Sequence, residues 1–144
     1  MKQKIKILVM GLSGSGKTTL SKELSKILDA ELVNADDIRK RENDWDFSIE
    51  GRLRQSKRMI NACDIALKNN KNVIADFICP TKEIRKKFAA DFTIWMDTIK
   101  KCKYEDTNQL FEPPKNDEVN YIVKEKDKDY HKKLIAEKIY KIFK

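Results

Sequence analysis

Short apolar runs alternate along the chain with longer segments in which apolar residues recur every three or four positions. The runs predict buried strands, and the longer segments predict amphipathic helices. The predicted strands are Lys4–Met10, Glu31–Asn34, Asn72–Ile78, Phe92–Met96 and Asn120–Val123. Because strands that alternate with helices form parallel sheets, we expect one α/β domain over residues 1–144, with about five strands and with helices on both faces.

Polar residues that favour helix starts precede most of the helical segments. The predicted helices are Lys17–Leu28, a short helix from Asn34 through Arg39, Ser48 to the stop signal at Lys68, Thr81 to about Ala90, and Asp129–Phe143. Trp45 and Trp95 are assigned to packing. Most polar clusters follow a predicted strand, at the edge where parallel sheets bind their ligands.

A phosphate-binding motif lies between the first predicted strand and the first predicted helix. Gly11–Thr18 reads GLSGSGKT and fits the pattern G-x-x-x-x-G-K-[ST], which indicates the P-loop NTPase fold. The loop amides and the positive end of the helix would face the phosphates, Lys17 would bridge the β- and γ-phosphates, and Thr18 would bind Mg²⁺. The residues predicted to bind ATP are Gly11, Ser13, Gly14, Ser15, Gly16, Lys17, Thr18 and Thr19.

A P-loop alone does not separate GTPases, motor ATPases and small-molecule kinases. GTPases recognise their base with N-K-x-D after a strand, whereas the stretch Asn70-Lys71-Asn72-Val73 lacks the Asp and precedes its strand. The sequence therefore favours a kinase.

Two acidic residues follow predicted strands and are candidates for the chemistry. We expect Asp36 to accept a hydrogen bond from the acceptor hydroxyl, as orienter or base, although Asp36, Asp37 and Asn34 are all residue types that cap helices. Asp76 lies at the end of an apolar strand, and it either binds Mg²⁺ or receives the acceptor hydroxyl. The predicted catalytic residues are Lys17 and Asp36, and the predicted metal ligands are Thr18 and Asp76.

Five segments together resemble one family of P-loop kinases. They are Gly11–Leu20 (GLSGSGKTTL), Asn34–Arg39, Phe47–Arg58, Phe77–Pro80 (FICP) and Phe111–Asn116 (FEPPKN). In order and spacing these segments resemble the motifs of adenylylsulfate kinases, which use ATP to phosphorylate the 3′-hydroxyl of adenosine 5′-phosphosulfate. The resemblance implies ATP and Mg²⁺ as cofactors and a nucleotide as the small-molecule substrate.

The resemblance also implies an acceptor pocket. Gln55 replaces the Asn of the family, and Asp76 stands where the family tends to have Ser. Arginine forks match phosphate and sulfate oxygens, although these arginines would equally solvate a helix surface, and the two Phe rings would stack on adenine or fill the core. The predicted substrate-binding residues are Asp36, Arg39, Phe47, Arg52, Gln55, Arg58, Phe77 and Ile78.

One departure from the family leaves the acceptor open. Adenylylsulfate kinases carry a long lid before the last of these segments, whereas this chain has only Ile99 to Leu110, with Lys100, Lys101 and Lys103 as the remaining basic residues. A shortened lid is compatible with another nucleotide-linked or small-molecule hydroxyl acceptor.

The charge balance raises a third alternative, a nucleic-acid kinase or a nucleotide-dependent binding module. The net charge is +8, from 31 basic and 23 acidic residues. The excess is almost all Lys, scattered through the helices and concentrated near the C-terminus, whereas base recognition favours Arg and aromatic stacking. Nucleic acid is therefore the less favoured partner.

The remaining sequence features indicate the redox state of the cysteines and the cellular location of the protein. Cys63, Cys79 and Cys102 are odd in number and widely spaced, so we expect reduced thiols. The apolar run Ile5–Met10 is too short for a secretory signal, and no apolar stretch has the ~18 residues of a membrane span, so we expect a cytoplasmic protein without membrane contact. The sequence leaves open whether the chain forms a homodimer.

Overall fold

The computed structural model describes residues 3–125 and 128–143 and contains one five-stranded sheet. Its strands are β1 (Lys6–Met10), β2 (Ala30–Asn34), β3 (Asn72–Asp76), β4 (Phe92–Met96) and β5 (Tyr121–Val123). The order across the sheet is β2-β3-β1-β4-β5, and every neighbouring pair is parallel. The predicted parallel α/β fold is therefore confirmed.

Six α-helices connect or follow the strands in the described part of the chain. They are α1 (Lys17–Leu28), α2 (Ala35–Glu42), α3 (Ile49–Lys68), α4 (Lys82–Phe88), α5 (Glu105–Leu110) and α6 (Lys128–Ile142), with a 3₁₀ turn at Asn116–Glu118. The predicted caps of α3 and α4 are confirmed, because the side chains of Ser48 and Thr81 accept hydrogen bonds from the amides of Gly51 and Ile84, each at 3.2 Å. No described helix is long and apolar enough to span a bilayer.

Helices cover both faces of the sheet, and alternate residues of β1 point to opposite faces. Ile7 and Val9 pack with α1 and α6 in one apolar cluster. Leu8 and Met10 pack with α2, α3 and α4 in the other. A strand buried on both faces explains why β1 is apolar over most of its length rather than alternating.

Several predicted element boundaries were wrong. β3 ends at Asp76 and not at Ile78, because the chain turns at Cys79, which has a φ of 48°. α2 continues beyond Arg39 to Glu42, where Asn43 ends it in the left-handed conformation, and Ala89 ends α4 in the same way. Helix α5 was not predicted.

The two tryptophans differ in environment. Trp95 is partly buried against the cluster that contains α3, as predicted. The packing assignment of Trp45 was wrong, because this side chain is 50% exposed. Trp45 lies in the connection between α2 and α3. Its apolar side chain alone was not sufficient to predict burial.

The parallel arrangement brings functional segments to one edge of the sheet. The carboxyl ends of β1, β2, β3 and β4 all lie at this edge. The phosphate-binding motif follows β1, the Asn34–Asp36 segment follows β2, and Asp76 closes β3. This edge therefore carries the candidate site.

Candidate functional site

The loop between β1 and α1 has the backbone that its glycines permit. Gly11 has a φ of 147°, and a Cβ at this position would lie 2.7 Å from the carbonyl oxygen of Met96. Gly16, immediately before α1, has a φ of 100°, which disfavours residues with a side chain. The hydroxyl of Thr98 donates to the carbonyl of Ser15 at 2.7 Å and so ties the loop to the segment after β4.

Lys17 is held inside this loop. Its Nζ donates to the carbonyl of Leu12 at 3.0 Å. Burial lowers the pKa of Lys17, and the negative charges of Asp76 and Asp36 act in the opposite direction. The lysine is therefore positioned beside two carboxylates at the start of a helix, where a phosphate group would meet both its charge and the helix amides.

Asp76 is buried, with 2% of its surface exposed, and it joins the loop to β2. Its Oδ2 accepts hydrogen bonds from Thr18 Oγ1 and from Asn34 Nδ2, both at 2.8 Å. Burial raises the pKa of Asp76, whereas the hydrogen bond from Thr18 and the charge of Lys17 lower it.

The pair of Thr18 and Asp76 fits a magnesium site. Mg²⁺ prefers oxygen ligands and in kinases is held by few protein groups together with the phosphates of the substrate. The hydroxyl and the carboxylate lie side by side at the phosphate loop. Within the described ranges, no cluster of three or more His, Cys, Asp or Glu residues offers a metal a fuller set of ligands.

The structure distinguishes Asp36 from its neighbours. Asn34 caps α2, because its Oδ1 accepts a hydrogen bond from the amide of Asp37 at 3.0 Å. Asp36 is exposed in the first turn of α2 and lies close enough to influence the pKa values of Lys17 and Asp76. The capping role that the sequence left open thus belongs to Asn34.

One cavity of 360 Å³ collects most of the predicted site residues. It lies between the phosphate loop, the start of α2, the start of α3 and the chain that follows β3. The predicted residues that line it are Ser13, Gly14, Gly16, Lys17, Thr18, Thr19, Asp36, Arg39, Phe47, Arg52, Gln55, Asp76, Phe77 and Ile78. Gly11 and Ser15 are buried and do not line the cavity.

Phe47 and two arginines form one side of this cavity. The ring of Phe47 is 42% exposed, and the guanidinium groups of Arg39 and Arg52 lie 4.2 and 5.4 Å from its centre. Arg39 donates to the carbonyls of Asp44 and Asp46, at 2.9 and 3.1 Å. Phe47 is therefore available at the cavity rather than a filler of the core.

Arg52 has several partners. Its Nε donates to the carbonyl of Phe47 at 2.9 Å, and its Nη2 donates to Thr107 Oγ1 on α5 at 2.8 Å. The carboxylate of Asp106 lies 3.7 Å from the same Nη2. Arg52 thus joins the side of the cavity that carries Phe47 to the short helix α5.

Arg58 is the predicted substrate-binding residue that the structure places elsewhere. It does not line the cavity, and its Nη1 lies 2.8 Å from Asp44 Oδ2. The hydrogen bonds from Arg54 and Arg58 hold the pKa of Asp44 well below its usual range. Arg58 therefore holds the connection between α2 and α3 through its ion pair with Asp44. Its position in the sequence did not indicate this ion pair.

Gln55 and Phe77 contribute mainly to the frame of the cavity. Gln55 is 4% exposed, and its Nε2 donates to the carbonyl of Ala35 at 2.8 Å, which ties α3 to the start of α2. Phe77 is 6% exposed and packs against Phe88, with the ring centres 5.4 Å apart.

Sequence reasoning missed two contributors. Thr98 follows β4 at the ligand edge of the sheet, and this position was an available signal for its contact with the phosphate loop. Thr107 binds Arg52 across 55 positions of sequence, and no local pattern indicates such a contact.

The phosphate loop and both candidate carboxylates lie within a region that matches a known family. Residues 7–95, more than half of the chain, match the AAA domain family, and this span contains the phosphate loop, Asp36 and Asp76. The chain belongs to the AAA domain family. No curated protein matches the sequence significantly.

Solved structures share the fold of this AAA domain protein. APE1195 has a TM-score of 0.80 at 19% identity, over 100% of this chain and 99% of that one. The APS kinase CysC of Mycobacterium tuberculosis, in complex with AMPPNP and APS, has a TM-score of 0.77 at 19% identity, over 95% and 98%. The shikimate kinase of Aquifex aeolicus vf5 has a TM-score of 0.67 at 17% identity, over 94% and 96%. The chain therefore has the P-loop kinase fold.

Proposed function

We propose that this AAA domain protein is a cytoplasmic, ATP- and Mg²⁺-dependent kinase that phosphorylates the 3′-hydroxyl of adenosine 5′-phosphosulfate. The observation that carries the proposal is the single cavity that joins the phosphate loop to Asp36, Phe47 and Arg52. Phosphoryl transfer requires a γ-phosphate and an acceptor hydroxyl held in line within one such space.

The phosphate loop is the donor side of the reaction. The amides of Gly11–Thr18 and the Nζ of Lys17 would bind the phosphates of ATP, with Lys17 leaving the carbonyl of Leu12 for phosphate oxygens. Thr18 and Asp76 would hold Mg²⁺, which when bound supplies positive charge to the phosphate oxygens.

Asp36 would be the acceptor-side orienter or base. Its carboxylate is exposed at the cavity, and α2 is capped by Asn34 instead. As the acceptor oxygen bonds to the γ-phosphorus and the bond to ADP breaks, the hydroxyl proton passes to the Asp36 carboxylate. The nearby charge of Lys17 stabilises the negative charge on the transferring group.

Phe47 and Arg52 support an anionic nucleotide as acceptor. The exposed ring of Phe47 offers a stacking surface for adenine, and the guanidinium of Arg52 matches the oxygens of a phosphosulfate. The five sequence segments that resemble adenylylsulfate kinases and the similar fold of the APS kinase CysC support the same acceptor.

A second candidate is a kinase of the same fold that acts on another hydroxyl compound. Arg39 and Arg58 are already engaged with the loop between α2 and α3, and Arg52 already contacts Thr107 and Asp106. Because these three arginines already have protein partners, fewer guanidinium groups are available to bind a phosphosulfate than the sequence indicated. The shared fold of the shikimate kinase is compatible with such an acceptor.

Coupled ADP release from ATP and Mg²⁺, with and without adenylylsulfate, tests the proposal. We expect acceptor-dependent turnover, and losses of ~10²-fold or more in Lys17→Ala and Asp36→Asn, because both variants remove a charge beside the reacting groups. ADP release that is indifferent to adenylylsulfate would contradict the acceptor assignment and favour the second candidate.

A further inference from the structure

A buried arginine outside the cavity joins two segments of the chain near its rim. Arg85 lies on α4, and only 7% of its side chain is exposed. Its Nη1 donates to the carbonyl of Cys79 at 3.0 Å, and its Nη2 donates to the carbonyl of Glu112 at 2.9 Å. The carboxylate of Glu118 lies 3.8 Å from Nη2 and balances the buried charge.

The two segments are also bonded directly to each other. We call residues 77–80 the wall, because all four line the cavity, and residues 111–118, which follow the shortened lid, the brace. The amide of Glu112 donates to the carbonyl of Pro80 at 2.7 Å. The amide of Lys82, just after the wall, donates to Glu112 Oε1 at 3.1 Å.

The wall has a conformation that its own sequence does not favour. Cys79 has a φ of 48°, in the left-handed region, and it immediately precedes Pro80. Residues with a Cβ rarely adopt this region, and a following proline pushes the preceding residue toward extended backbone. Such a turn persists only when surrounding contacts hold it, and the hydrogen bonds to Cys79 and Pro80 are contacts of this kind.

We propose that Arg85 is a positioning residue that holds the wall against the brace and thereby fixes the acceptor side of the cavity. Its planar guanidinium reaches both carbonyls at once, which a lysine ammonium does not do with the same geometry. The hydrogen bonds described for the phosphate loop run to Asp76 and Thr98, and not to Arg85 or the brace, so we expect ATP binding to depend little on this contact. The proposal rests on the proposed function only for the identity of the acceptor.

Two buried cysteines allow the opening of the wall to be measured without any substrate. Cys79 in the wall and Cys63 in α3 are both 0% exposed, and burial raises the pKa of both thiols, that of Cys63 to about 12. Alkylation needs an accessible thiolate, so each reacts only when its surroundings open. Opening of the wall exposes Cys79 alone, whereas global unfolding exposes both.

The first experiment is alkylation of the native protein with iodoacetamide, with each cysteine quantified by peptide mass spectrometry. We expect Arg85→Met to accelerate the alkylation of Cys79 by about 10-fold or more relative to Cys63, with Arg85→Lys intermediate. Lys86→Met, an exposed change on the same helix, is the control and should change neither rate. Equal acceleration of Cys79 and Cys63 in Arg85→Met would overturn the proposal, because Arg85 would then stabilise only the whole fold.

The second experiment is steady-state kinetics of the same variants with ATP and adenylylsulfate. We expect the KM for adenylylsulfate to rise by about 10-fold in Arg85→Met while the KM for ATP stays within about 2-fold. A parallel rise of both KM values would overturn the positioning role. Selective opening at Cys79 in a protein that does not phosphorylate adenylylsulfate would contradict the proposed function and leave the role of Arg85 standing.

Discussion

At the scale of single residues, Asp76 connects the donor side of the site to the sheet. Its Oδ2 accepts hydrogen bonds from Thr18 and Asn34 while it remains buried at the end of β3. Because Asn34 also caps α2, one side chain links the position of Asp76 to that of the helix that carries Asp36. We infer that Asp76 acts on the metal side rather than on the acceptor.

We predict that Asp76→Asn weakens Mg²⁺ binding. The amide keeps the shape of the carboxylate but lacks its charge, so the Mg²⁺ concentration that gives half-maximal activity should rise about 10- to 100-fold. Titration of acceptor-dependent ADP release with Mg²⁺ measures this. Asp37→Asn, an exposed change three residues after the α2 cap, is the matched control and should leave the Mg²⁺ requirement unchanged. An unchanged requirement in Asp76→Asn, with a raised acceptor KM, would assign Asp76 to the acceptor hydroxyl.

The sequence identified candidate site residues where a local pattern of neighbouring residues indicates a role. The phosphate loop and Asp76 belong to this group, because a glycine turn and a carboxylate at a strand end are local patterns. The ion pair of Arg58 with Asp44 and the bond of Asn34 to Asp76 were not predicted, since each joins residues that are distant in sequence. Residue type gave the chemistry of these side chains but not their partners.

At the scale of elements, the connection between α2 and α3 is fastened from both helices. Arg54 of α3 lies 3.2 Å from Asp44 Oδ2 and 2.8 Å from Asp46 Oδ2, and Arg39 of α2 donates to the carbonyls of the same two residues. Hydrogen bonds from Ser48, and then from Arg54, lower the pKa of Asp46 to about 2. Phe47 belongs to this connection, so the ion pairs of Asp44 and Asp46 help to position its ring at the cavity.

We predict that this fastening is lost in acid. A carboxyl with a lowered folded pKa stabilises the fold above its unfolded pKa, here 3.8 for Asp46, and loses that contribution as the pH falls toward about 2. The Tm of Arg54→Gln should therefore lie below that of the unchanged protein at neutral pH, and the difference should narrow as the pH falls toward about 2 and Asp46 is protonated, while Asp44, whose pKa is lower still, keeps its pair with Arg54. Calorimetry over this range measures the difference, and a Tm difference independent of pH would contradict the account.

The elements that the sequence predicted are those with a strong hydrophobic period. All five strands and the described α-helices other than α5 were found, because apolar runs and amphipathic faces are visible in short windows. Helix α5 (EDTNQL) has no such pattern, and it contacts Arg52 through Thr107. The sequence did not indicate the turn after Asp76, because the contacts that accompany the left-handed Cys79 come from Arg85 on α4 and from Glu112 in the connection after α5.

At the scale of the whole molecule, positive charge is spread over both sides of the sheet. α1 and α6 pack on one face, and α3 and α4 pack on the other. Exposed lysines occur on helices of both faces, for example Lys22, Lys26, Lys133 and Lys141 on one, and Lys57, Lys68, Lys86 and Lys87 on the other. A nucleic acid would be bound by charge gathered along one surface.

We predict that the protein does not bind single-stranded oligonucleotides at low salt. Fluorescence anisotropy of a labelled oligonucleotide measures this directly. The comparison at increasing salt is the control, because binding through phosphates weakens steeply as salt is added. Saturable binding with such a salt dependence would contradict the small-molecule assignment and support a nucleic-acid kinase.

The proposed reaction transfers a phosphoryl group from ATP to the 3′-hydroxyl of adenylylsulfate within one cavity. The most direct measurement is mass spectrometry and phosphorus NMR of adenylylsulfate after incubation with the protein, ATP and Mg²⁺. We predict that adenylylsulfate gains one phosphoryl group at the 3′ position and that Asp36→Asn slows this gain by ~10²-fold or more. Adenylylsulfate that stays unmodified while ATP is hydrolysed would contradict the account.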